Sequence, residues 1–132
     1  MPTVLFVCEH NAGRSQLAAG LAAFRAAGRV RVRSAGTNPD ARVDDVMLAS
    51  LAELGIDRSD QVPMLLTDGL LRQADVVVAV KPELGIVPVD GTQWQTWTLP
   101  EPGRWDLEGL RPLRAFLDDK VQALIEDLLR GR

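Results

Sequence analysis

The stretch VLFVCEHNAGRSQLAAG, Val4 to Gly20, joins an apolar run to a helix pattern through a short loop, and it holds Cys8, the only cysteine in the chain. Thr3 to Cys8 is apolar and rich in β-branched residues, which predicts a strand. From Ser15 to about Ala27 the apolar residues recur at helical spacing, with Leu17, Leu21 and Phe24 on one face. Strand, loop and helix in that order open an α/β unit.

The rest of the chain repeats the alternation. Val30 to Ala35 reads as a second strand ended by Gly36, and Asn38-Pro39-Asp40 as a loop, since proline turns the preceding residue away from helical geometry. A helix is predicted from about Asp44 to Leu54, with Val43, Met47, Leu51 and Leu54 inward and Gly55 as its stop. Leu66 to Arg72 predicts a short helix. Asp75 to Val80 predicts a buried strand, apolar nearly throughout, as parallel strands covered on both faces are. Gly85 to Val89 predicts a weaker strand, and Gly91 to Gly103, with Trp94, Trp97, Pro100 and Pro102, an ordered loop holding one short strand. Leu110, Leu113, Leu117, Val121, Leu124 and Leu128 recur at three and four residues, which predicts a long last helix with Pro112 in its first turn. Strands alternating with helices imply a parallel sheet covered by helices on both faces.

Composition narrows the function classes. The 132 residues suit a single domain, residues 1–132, able to bury a core without disulfides or a structural metal. A formal net charge of −3 argues against a nucleic-acid partner, and the alternating Arg29, Arg31 and Arg33 read as a solvated strand face. No apolar run approaches the roughly 20 residues of a membrane span, and Met1 to Gly20 lacks a basic segment followed by an unbroken apolar core. The expectation is a cytoplasmic protein without a membrane partner. A single cysteine forms no internal disulfide, which is compatible with a reducing compartment.

In a parallel sheet, ligands bind beyond the carboxyl ends of the strands, where Cys8 falls. Six residues later come Arg14 and Ser15, directly before a helix, giving C-x5-R-S. If the backbone curls round after Cys8, the amides of Glu9, His10, Asn11, Ala12, Gly13 and Arg14 can point inward, and the helix adds its unpaired amides and positive dipole end. Such a concavity suits a tetrahedral oxyanion. Arg14 can clamp two oxygens with its fork of donors, while Asn11 and Gly13 tolerate unusual backbone angles. The same setting favours a thiolate, so Cys8 is the predicted nucleophile. Ser15 is placed to donate its hydroxyl to the sulfur, and it could also cap the helix. His10 has no cysteine or histidine cluster beside it, so no metal is assigned. Trp94, Trp97 and Trp105 could wall a pocket, with packing the more ordinary role. Asp118 and Asp119 read as a solvated helix face.

Val4 to Gly20, followed by Ser34-Ala35-Gly36-Thr37 and Leu54-Gly55-Ile56-Asp57, resembles the arsenate reductases built on the low-molecular-weight protein tyrosine phosphatase fold. His10-Asn11-Ala12-Gly13-Arg14-Ser15-Gln16 is similar to the arsenate reductase branch of that family. The resemblance covers nearly the whole chain and is weakest in the C-terminal third. It implies a three-layer α/β sandwich with a four-stranded parallel sheet, attack of the cysteine on arsenate, and reduction to arsenite, with phosphate or sulfate as substrate analogues. No tightly bound cofactor is implied.

Three departures sharpen the expectation. Thioredoxin-coupled members of the family carry two further cysteines shortly after the strand corresponding to Asp75 to Val80, where this chain has Lys81-Pro82-Glu83-Leu84-Gly85. The chain therefore resembles the single-cysteine members, which hand arsenic to an external low-molecular-weight thiol such as mycothiol, bacillithiol or glutathione, with a glutaredoxin-like or mycoredoxin-like protein completing reduction. Family members protonate the leaving oxygen with an aspartate before a proline. Here the dipeptide is Glu101-Pro102, so Glu101 is the expected general acid, with Asp106 in reserve. Potassium-binding members carry a glutamate where this chain has Ala19. Two rivals remain: a phosphatase acting on phosphate monoesters, and an oxyanion-binding protein with impaired chemistry.

Overall fold

The computed structural model describes residues 1–131. In chain order the elements are β1 (Thr3–Cys8), α1 (Arg14–Ala26), β2 (Arg31–Gly36), α2 (Asp45–Ala52), α3 (Asp68–Gln73), β3 (Val76–Ala79), β4 (Gln93–Thr96) and α4 (Leu107–Leu129). The four strands form one parallel sheet in the order β2-β1-β3-β4. Side chains of β1 alternate between its faces. Val4, Phe6 and Cys8 join the core beneath α1, α2 and α4, whereas Leu5 and Val7 join Leu71 of α3, Val77 and Ala79 on the other side. Both faces of β1 are thus covered, which is why the strand is apolar throughout. The chain leaves β1 for β2 on one side and β3 lies on the other, so Cys8 stands at the switch point where a crevice opens.

Some expectations are corrected. Gly85 to Val89 forms no strand: positive φ at Glu83 (60°) and Gly85 (70°) breaks the extended run, and β4 takes the sheet position beside β3. Ile86 and Val89, with Leu84 just before the segment, instead pack over the α3 face of the sheet. Phe24 is exposed, because α1 fills its contacts with Leu17, Ala18, Leu21 and Ala22. Leu54 lies beyond the end of α2, where helical spacing no longer governs direction, and it too is exposed. Pro112 sits in the interior of α4 rather than its first turn, leaving the Glu108 carbonyl without an i+4 amide. The predicted core stripe of α4 is buried from Leu110 to Leu128, and Trp97 meets Phe6 edge to face with centroids 5.8 Å apart. Among the described residues no helix is long and apolar enough to cross a membrane.

Charged clamps tie the helices of one layer together. Asp118 accepts from Arg25 Nε at 2.9 Å, joining α4 to α1, so it does more than line a solvated face. Arg111 and Arg114 of α4 converge on Glu53 at the end of α2, at 2.6 and 2.7 Å. Hydrogen bonds from Arg111 first, then Arg114, hold the Glu53 carboxyl at about 2 instead of 4.5. A carboxyl depressed on folding stabilises above its unfolded value and loses that contribution as pH falls towards its folded one. The difference in Tm between the wild type and Glu53→Gln is therefore expected to be full above about pH 4.5 and to close towards pH 2, read by thermal melts across that range. A difference independent of pH would contradict the clamp.

Candidate active site

The loop after β1 is pinned from behind by its own carbonyls. Those of Cys8, Glu9, His10 and Ala12 accept from the amides of Thr37, Asn38, Asp40 and Asp44 at 3.2, 2.8, 2.9 and 2.9 Å. The Asn11 carbonyl accepts from Gln16 Nε2 at 3.0 Å, and that of Gly13 from Leu17 N at 3.0 Å. In a trans peptide the amide points opposite to the carbonyl it shares a plane with. Carbonyls held outward from Cys8 to Gly13 therefore turn the amides of Glu9 to Arg14 to the other side. Asn11 N donates to Cys8 Sγ at 3.2 Å, and the amides of Glu9, His10, Ala12, Gly13 and Arg14 have no partner among the described residues. The loop thus presents a run of amides, five of them unpartnered, on the side away from its pinned carbonyls. Thr37 and Asn38 border it through backbone amides.

Two residues let the loop close. Asn11 adopts φ 51°, a left-handed conformation that asparagine tolerates. Gly36, at the end of β2, lies so close behind the loop that a Cβ there would stand 2.4 Å from the Glu9 carbonyl oxygen. Its own amide and carbonyl bond Met64 O and Leu66 N, both at 2.8 Å, which fixes it in place.

The sulfur of Cys8 is buried and faces two donors. Ser15 Oγ lies 2.8 Å away, and the Asn11 side-chain amide donates to that same hydroxyl at 2.8 Å. With Asn11 as its donor, the hydroxyl keeps its own hydrogen available to the sulfur. The backbone amide of Asn11 and the Ser15 hydroxyl thus stand where a sulfur acceptor can use them, the role a thiolate fills. Ser15 does not cap α1: the N-cap is Gly13, and Ser15 lies one residue inside the helix, which begins at Arg14.

The walls bring together predicted and unpredicted residues. A hollow of about 160 Å³ is lined by Cys8, Glu9, His10, Ala12, Gly13 and Arg14, and by Asp40, Asp44, Met47, Lys81 and Trp105. That volume is below the roughly 300–1,000 Å³ of sites for drug-sized ligands and suits a small oxyanion. Larger surface hollows, of about 440 to 490 Å³, include no residue of the 8–15 loop. Arg14 donates to Glu101 at 2.8 Å, and its guanidinium carbon stands 5.1 Å from the centre of the Trp105 ring. Glu101 reaches the site through this ion pair. Asp106 is occupied elsewhere, accepting from Gly109 N at 2.7 Å as the N-cap of α4. His10 Nδ1 lies 3.2 Å from both the Asn38 carbonyl and Asp40, two acceptors that assign its hydrogen to that nitrogen. Lys81 reaches Glu9 at 3.3 Å. Its placement was legible in principle, since it follows β3 at the same carboxyl edge as Cys8. Asp40, Asp44 and Met47 carried no such signal.

The model of the low molecular weight phosphotyrosine protein phosphatase family matches residues 3–85, well over half of the chain. The chain belongs to the low molecular weight phosphotyrosine protein phosphatase family. Within the family it is 33% identical over 128 residues to the glutaredoxin arsenate reductase of Synechocystis, covering 95% of this chain and 97% of the relative. A solved arsenate reductase in the phosphate binding state superposes with a TM-score of 0.84 at 32% identity, over 96% of this chain and 98% of that one. The thioredoxin-dependent arsenate reductase of Corynebacterium glutamicum gives a TM-score of 0.86 at 31% identity; it covers this chain fully, and the chain spans 64% of its length. A low molecular weight protein tyrosine phosphatase from Bacillus subtilis, 23% identical with a TM-score of 0.82, shares the fold.

Proposed function

We propose that the protein is an arsenate reductase in which Cys8 attacks arsenate and an external thiol finishes the reduction. The observation that carries the reading is the loop itself: the amides of Glu9, His10, Ala12, Gly13 and Arg14 are unpartnered among the described residues, beside a sulfur in contact with Ser15 Oγ and Asn11 N, on a chain whose relatives are named arsenate reductases. Arsenate is held by those amides and by Arg14, which leaves Glu101 for the oxyanion. The Cys8 thiolate forms a sulfur–arsenic bond as one arsenic–oxygen bond breaks, and Glu101, as the acid, gives the departing oxygen its proton. With no second cysteine on the chain, a low-molecular-weight thiol then takes the arsenic from Cys8. A second thiol attacks that thiol's sulfur: the two thiols become a disulfide, arsenic goes from As(V) to As(III), and arsenite leaves. Mycothiol, bacillithiol or glutathione fits the first role, and a glutaredoxin-like or mycoredoxin-like protein the second. This chemistry needs a reducing compartment, consistent with the cytoplasm.

Matching to the phosphatase family model favours one second reading, hydrolysis of a phosphate monoester, since phosphate and arsenate share shape and charge. The two are separated by running the purified protein on arsenate with a thiol system and on a small aryl phosphate. Arsenite formation well above phosphate release supports the reductase, and the reverse ranking supports the phosphatase. Glu101→Gln is expected to lower kcat for arsenate by about a hundredfold, the scale of general acid catalysis. A kcat within about twofold of wild type would leave Glu101 as no more than a partner for Arg14.

A further inference from the structure

We infer that Gln16 is a positioning residue for the nucleophile, acting through Asn11 and Ser15; the inference rests on the reading of Cys8 as the attacking group. Gln16 is 2% exposed, and its side-chain nitrogen donates to both the carbonyl and the Oδ1 of Asn11, at 3.0 and 3.2 Å. Its own oxygen, Oε1, is buried with no partner among the described residues. An orphaned buried acceptor costs about 1 to 3 kcal/mol. What the amide does in return is visible one residue away. Turning the Gln16 amide over would set its oxygen against two oxygens of Asn11, so the observed orientation is the one the surroundings allow.

That orientation fixes the next. Asn11 Oδ1 accepts from Gln16 and from Met64 N at 2.8 Å, which commits the other end of its amide, Nδ2, to Ser15 Oγ. Ser15, accepting there, has its hydroxyl hydrogen available to donate to Cys8 Sγ, 2.8 Å away. Direction thus passes from Gln16, together with Met64 N, to Asn11 and on to Ser15 and the sulfur, each acceptance orienting the member that donates next. Gln16 touches no reacting atom.

The test reads the sulfur without arsenate: the rate of alkylation of Cys8 by iodoacetamide at neutral pH, on the full chain, with folding of every variant checked by circular dichroism and melting. Because no oxyanion is used, failure here is distinct from failure of the arsenate reading. Gln16→Met, which keeps length and removes both donors and the orphaned oxygen, is expected to melt near the wild type and to alkylate about fivefold more slowly, the worth of one hydrogen bond. In an Asn11→Gly background, where glycine accepts the left-handed backbone and the relay is already cut, the same change is expected to alter the rate by less than about twofold. Gln16→Glu, which presents an acceptor to Asn11, is expected to slow alkylation further than Gln16→Met does. An unchanged rate in Gln16→Met, or the same loss in both backgrounds, would overturn the proposal. Should the methionine variant fail to fold, a wild-type rate in Gln16→Glu would overturn it.

Discussion

Cys8→Ser is expected to lower arsenite formation by more than about a thousandfold while the protein remains folded, because removal of a covalent nucleophile leaves only binding and electrostatic assistance. The substitution is small. Cys8 is 7% exposed at the end of β1, and serine is shorter by little more than the difference between sulfur and oxygen, so the amides of the loop stay in place. Arsenate should still bind, measured by calorimetry or by protection against thermal unfolding. Binding retained with turnover lost assigns the chemistry to the sulfur; turnover retained within tenfold would remove Cys8 from the mechanism. No other cysteine on the chain can take over.

Gly36→Ala is expected to combine the largest loss of stability with loss of activity. The added Cβ would sit 2.4 Å from the Glu9 carbonyl and 3.0 Å from Asn11 N, both backbone atoms that cannot swing aside. Relief requires the loop to move off β2, which breaks the bonds from Thr37 and Asn38 that turn its amides inward. A steric insertion of this kind costs about 2 to 3 kcal/mol, which for a domain of this size lowers Tm by roughly 6 to 15 °C. Turnover should fall at least tenfold even below the new Tm, since the loop amides proposed to hold the oxyanion are displaced. Gly69→Ala is the comparison: its Cβ would meet Thr67 Oγ1 at an ordinary 3.7 Å, and alanine suits the helix, so its Tm is expected to hold or rise slightly. Equal Tm values for the two variants would show that the close approach of Gly36 does not hold the loop.

Much of this was legible in residue types. The apolar run of β1, the C-x5-R-S spacing and the helix after it place the sulfur, the amides and the arginine without coordinates, because period-2 and period-3.6 burial and loop closure are local rules. Gly36 belonged to a segment that could be recognised, but the reason for a glycine there is a contact with Glu9, 27 positions earlier, which no local pattern contains. The same holds for Glu101. Its place before a proline suggested an acid, whereas its ion pair with Arg14 spans 87 positions and depends on how the loop before α4 returns to the site. Gly85 to Val89 misled because its apolar Ile86, Val87 and Val89 suit a strand as well as a segment packed over the sheet, and the backbone turns at Glu83 and Gly85 decide between them.

The most direct measurement is arsenite release by the purified chain given arsenate and, in separate reactions, no thiol, thioredoxin with its reductase, or a low-molecular-weight thiol (mycothiol, bacillithiol or glutathione) with a matched glutaredoxin-type protein. The expected result is turnover that requires one of the small thiols and vanishes in Cys8→Ser. Sustained turnover with thioredoxin alone, or arsenite formed at the wild-type rate without Cys8, would contradict a single-cysteine enzyme that passes arsenic to an external thiol.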